Sequence, residues 1–134
     1  MKALLTFAIC LAVATPTFCQ STSAAKDQQD KEQQLRTALE QMRNAIDHYR
    51  GMADRGKIMT PVGSRNYPPD LETLVKGASD AHGKRIQFLS KIPVDPMTGT
   101  ADWGLKRAGR QGGIFDVYTK SDATALDGTK YQDW

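Results

Sequence analysis

The chain has 134 residues, 40% of them apolar and 25% charged, and a formal net charge of +3. If the first nineteen are a removable address, 115 residues remain, enough for one modest core and too few for a second domain. Nothing after residue 19 is long or apolar enough to span a bilayer, so the sequence reads as one soluble globular body.

Residues 1–19 have the layout of a secretory signal peptide. Met1-Lys2 gives one positive charge, Ala3 to Ala14 is an apolar run broken only by Thr6, and Thr15-Pro16 leads into small and polar residues. Ala12-Val13-Ala14 satisfies the small-x-small rule for cleavage, and Thr17-Phe18-Cys19 before Gln20 offers a second site. Phe18 and Pro16 argue against lipidation at Cys19. The alternative is a retained anchor, against which stands an apolar run shorter than the ~20 residues that span a bilayer. Cys10 and Cys19 both lie in this segment, so an internal disulfide is excluded from the body. Its removal takes away only Lys2 among charged residues. The resulting +2, 17 basic against 15 acidic side chains, attracts nucleic acid or anionic lipid weakly as a whole.

Residues 20–34 read as a polar linker that becomes helical near Asp27. From Leu35 the apolar residues Leu35, Ala38, Leu39, Met42, Ile46 and Tyr49 recur at steps of three and four, the signature of an amphipathic helix. Arg36 with Glu40 and Arg43 with Asp47 are spaced to pair one turn apart. Gly51 is expected to end the helix, and Gly51 to Asn66, with three glycines, Pro61, Arg55, Lys57 and Arg65, reads as a long loop. Tyr67-Pro68-Pro69-Asp70 opens a short second helix with Leu71, Leu74 and Val75 inside, because proline suits the first turn and Asp70 and Glu72 its positive end. Gly77 to Lys84 is turn-like. Short strands are expected over Ile86–Ile92, Trp103–Leu105 and Ile114–Tyr118, divided by Pro93-Val94-Asp95-Pro96, Thr98-Gly99 and Gly112-Gly113. These strands never alternate with long helices, which points to an α+β fold with an antiparallel sheet packed on the first helix.

The order of these elements resembles a known family. LRTALEQMRNAIDHYR (35–50), YPPDLETLVKG (67–77), FLSKIPVDPMTG (88–99), IFDVYTKSDA (114–123) and the final Asp133-Trp134 are together similar to the soluble C-terminal domain of the major pseudopilin of type II secretion systems. The likeness covers 35–134. It implies a pilin-like fold, in which a long N-terminal amphipathic helix packs on a small antiparallel β-sheet with a loop-rich C-terminal end. It also implies a non-enzymatic structural or interaction role in protein secretion. The expected partners are other pseudopilin or secretion-apparatus subunits, in the periplasm or secreted, or facing the periplasm from an inner-membrane anchor. Membrane contact is expected only if the N-terminal segment is retained, and neither nucleic acid nor a small-molecule substrate is expected. A free periplasmic, calcium-stabilised binding module with this fold is the alternative.

Two features depart from the family. Its members carry a basic leader, Gly-Phe-Thr-like residues and an apolar helix containing a glutamate. The run before Pro16 has none of these, which counts against assembly into a standard fibre shaft. The loop from Gly51 to Asn66 is also longer than the family's, and reads as a contact surface.

The tail from Asp116 holds Asp116, Asp122, Asp127 and Asp133 against Lys120 and Lys130. Calcium takes six to eight oxygens, and carboxylates around a glycine turn can supply them. The resemblance implies calcium here: Asp122 matches the family's first aspartate after the strand, Asp127 falls near its later carboxylates, and Lys120 and Leu126 would offer main-chain oxygens. The tail is shorter than the family's and lacks its closely spaced acidic pair. Asp116, inside a strand, equally suits an arginine partner.

Other chemistry finds no footing in the sequence. His48 and His82 have no second ligand at metal spacing, Cys19 has no folded surround, and GRQGG (109–113) reads as a hairpin turn rather than a phosphate cradle. Lys106, Arg107 and Arg110 beside Trp103 are weighed as a stacking and phosphate-binding surface, against the plainer reading of a solvated hairpin end. No catalytic residue is expected.

Overall fold

A computed structural model describes residues 20–134, with side chains from Ser23 onward; the expected signal peptide at 1–19 lies outside the described residues. Helix α1 runs Gln20–Asp54. It is longer than the sequence suggests at both ends. The residues before Asp27 are good enough helix formers to continue it backward, since no glycine or proline interrupts them. The expected stop at Gly51 fails because that glycine sits inside the last turns. The stop is Gly56, at φ 64°, where Gly56 N–H donates to the Ala53 carbonyl and Lys57 N–H to the Met52 carbonyl, both at 2.9 Å. This is the paired closure that a left-handed glycine permits.

The expected stripe is the buried face: Leu35, Ala38, Leu39, Met42, Ala45, Ile46, Tyr49 and Ala53 lie in the core. Among the described residues, no helix is long and apolar enough to cross a membrane. Helix α2 (Leu71–Lys76) starts where Asp70 accepts the Thr73 N–H at 2.7 Å, and it buries Leu71 and Leu74.

The chain is α+β, with two antiparallel two-stranded sheets in place of the single sheet expected. β1 (Ala78–Ser79) pairs with β2 (Arg85–Ile86), and Ile58 bridges to Asp80 at the edge of β1. Strand structure expected over 86–92 stops after Ile86. Phe88 and Leu89 N–H both donate at 3.0 Å to the Leu74 carbonyl near the end of α2, so the segment docks on a helix terminus instead of a strand. β3 (Gly104–Arg107) pairs with β4 (Ile114–Tyr118), with a register shift between Lys106 and Arg107. β4 lies against α1, and its Ile114 and Val117 are fully buried there.

Between the sheets, Pro93-Val94-Asp95-Pro96 is fastened by a fully buried aspartate. Asp95 Oδ1 accepts the Met97 N–H at 2.8 Å, and Oδ2 accepts the Thr119 hydroxyl just after β4. Trp103 closes the same corner, donating from Nε1 to the Pro93 carbonyl at 2.8 Å. A buried carboxylate needs such donors, and here they join the loop to the strand.

Candidate functional site

After β4 the chain returns along α1 and is fastened to it residue by residue. Glu32 Oε1 accepts the Leu126 N–H and the Tyr131 hydroxyl, each at 2.8 Å, and Gln28 Nε2 donates to the Tyr131 oxygen at 3.1 Å. One turn on from Glu32, the Arg36 guanidinium lies 3.8 Å over the Trp134 ring. Arg43 completes the row: Nε donates to Asp116 Oδ1 at 2.7 Å, and Nη2 to the Val117 and Trp134 carbonyls at 3.1 and 2.7 Å. Arg36 and Arg43 thus serve the tail rather than the helix neighbours Glu40 and Asp47. The arginine partner expected for Asp116 is Arg43.

Electrostatics follow this geometry. Burial works to raise the Asp116 carboxyl, but the Arg43 bond, the Val117 N–H and Lys106 Nζ at 3.3 Å outweigh it and hold the group below its ordinary value. Burial pushes the Tyr131 phenol up; the bond from Gln28 opposes this and Glu32 adds to it. One short row on α1 therefore joins helix, β4 and tail. Nothing local in the sequence marks Glu32 or Arg43 for this part, because their partners lie far along the chain.

The two expected calcium ligands sit on either side of the Thr124–Lys130 bridge. Asp127 lies in the turn that the bridge closes, and Asp122 precedes it. Asp127 Oδ1 accepts the Thr129 N–H at 2.9 Å and its hydroxyl at 2.5 Å, and these bonds hold the carboxyl below its ordinary value. Asp122 is exposed, and no hydrogen bond or ion pair engages it among the described residues. Asp122 and Asp127 Oδ2 are open to a cation. The Lys120 carbonyl accepts Gln132 Nε2 at 3.4 Å, and the remaining oxygens would come from main chain and water. Among the described residues no three His, Cys, Asp or Glu side chains gather as ligands.

Trp103 is 3% exposed and committed to Pro93, so it offers no face beside Lys106, Arg107 and Arg110; Arg107 donates to the Pro69 carbonyl at 2.9 Å. His48 is exposed on α1 with its ring edge-on to Phe88 at 5.2 Å. The two rings border an open groove of about 550 Å³ lined by Gln41, Asn44 and Lys91, whose side chains make no hydrogen bond or ion pair among the described residues.

Comparison with known protein families, characterised proteins and solved structures finds no match to this chain.

Proposed function

We propose that this protein is a non-enzymatic structural or interaction component of a type II secretion apparatus, a pseudopilin-like head carried on a helix. The observation that carries the reading is the division of α1. Its C-terminal half is buried across β4, while residues 23–27 and 29–31 are exposed and, Ala24 and Ala25 apart, polar. A helix that is exposed and mostly polar where it leaves the head suits a connector between a folded head and neighbouring subunits. The groove beside His48, with its unengaged polar lining, suits a protein contact as well.

The test is recovery of the protein from its native envelope, with N-terminal sequence, mass and co-purifying proteins determined together. Secretion subunits in stoichiometric association are the expected result. A monodisperse monomer with none of them would overturn it.

The second reading is a free periplasmic module steadied by calcium, and it rests on the open oxygens of Asp122 and Asp127. Calorimetric titration with calcium should then give heat and a rise in melting temperature that Asp122→Ala abolishes. Neither effect in the native chain would sink the calcium site.

A further inference from the structure

Between α1 and Tyr67 the chain forms a loop pinned at both ends and apolar at its tip. At one end Ile58 is buried, bridges to Asp80, and is followed by Met59 N–H donating to the Ser79 carbonyl at 3.1 Å. At the other end Ser64 is buried, and its carbonyl accepts the N–H groups of Tyr67 and Gly113 at 3.1 and 3.0 Å. Between these anchors Val62 is 105% exposed and Met59 75% exposed. The anchoring means that this exposure is fixed by the fold rather than by a loose segment.

The strand register adds charge beside the apolar tip. Ile58 opposite Asp80 sets Met59 opposite Ser79, and Ser79 pairs with Arg85. Met59, Ser79 and Arg85 therefore share one face, opposite to the face that buries Ile58 and Ala78. Arg55, Lys57 and Arg65 are exposed along the same loop, and none of these four cations has a carboxylate partner among the described residues. The acids nearby are engaged. Asp54 accepts Asn66 Nδ2 at 2.8 Å and lies 3.6 Å from Arg50 Nε, and Asp80 Oδ1 accepts the N–H groups of His82 and Lys84 at 2.8 Å.

We propose that this loop docks on the surface of an anionic lipid bilayer, with Val62 and Met59 entering the interface and Arg55, Lys57, Arg65 and Arg85 taking headgroup phosphates. An aliphatic tip between unpaired cations matches that boundary in both its layers. Nucleic acid fits less well, because residues 55–66 contain no aromatic ring to stack on a base. An acidic protein surface would satisfy the cations and leave the aliphatic tip unused. The loop lies at the end of α1 remote from Gln20, a helix of 35 residues away, roughly 50 Å at ~1.5 Å per residue.

The test uses the full chain and a readout confined to the loop. Val62→Trp should show fluorescence quenching by vesicles containing brominated phosphatidylglycerol, beyond that of the native chain, whose Trp103 is buried and Trp134 half-buried. In co-sedimentation with vesicles of phosphatidylcholine and phosphatidylglycerol, Met59→Ser/Val62→Ser keeps the charge and should weaken binding about tenfold or more. Raising salt to about 0.5 M should weaken it several-fold. No added quenching at Trp in place of Val62 overturns the proposal. So does undiminished binding of the double serine variant, or of Lys57→Ser/Arg65→Ser, whose cations the proposal sets on headgroup phosphates.

Discussion

Asp95 shows what one side chain holds together. Its carboxylate is fully buried and accepts from Met97 N–H and the Thr119 hydroxyl, so it fixes the proline-flanked loop to the end of β4. Asp95→Ala would leave the buried Thr119 hydroxyl and the partly buried Met97 N–H without an acceptor, at a cost of about 2–4 kcal/mol. Asp95→Asn keeps an acceptor for Met97 and should cost less than half of that in urea denaturation. Asp116 makes a weaker bond with a pH signature. Its folded carboxyl is held below the reference value of 3.8, so its stabilisation is fully present above that value and is lost as pH falls through the folded value. The melting-temperature gap between the native chain and Asp116→Asn should therefore be constant from neutral pH to about 5 and shrink below about 4. With the Arg43 side chain 35% exposed, Arg43→Ala should cost only about 1–2 kcal/mol.

At the scale of elements, α1 separates what the sequence discloses from what it conceals. The stripe from Leu35 to Tyr49 is legible because burial at steps of three and four leaves a periodic trace. The helix stop is not legible, because Gly51 and Gly56 look alike until their backbone angles are known. Gly56 is left-handed with open space around it, so Gly56→Ala should destabilise by about 1 kcal/mol through the backbone alone. At Gly51 a Cβ would meet only Arg55 Nη2 at 3.6 Å, so Gly51→Ala should stabilise by about 0.5–1 kcal/mol. Thermal melts of the two variants should move in opposite directions. Phe88 and Leu89 conceal their setting for a related reason: their apolar run reads as strand, but the acceptor that claims their N–H groups belongs to Leu74 in another element.

At the scale of the whole molecule, the row Glu32, Arg36 and Arg43 decides how far the head extends along its helix. Asp122 and Asp127 are visible in the sequence because acids stand out in a basic chain. The fastening is hidden because Glu32 lies 94 and 99 positions from the groups it accepts from. Without that row, the tail from Ala123 to Trp134 would keep the Thr124–Lys130 bridge and its turn but lose its grip on α1. Glu32→Ala removes the acceptor shared by Leu126 N–H and the Tyr131 hydroxyl, so both donors turn to water. In hydrogen exchange, amides from Leu35 to Tyr49 and across β3 and β4 should keep their protection in this variant. Those in α1 from Gln28 to Gln34 and in the tail from Thr124 to Tyr131 should exchange at least about fivefold faster, as one coupled unit. Faster exchange in the tail with no change in α1 would show that the helix holds its polar half without the tail. In that case the head would end at Leu35 and the fastening would serve the tail alone.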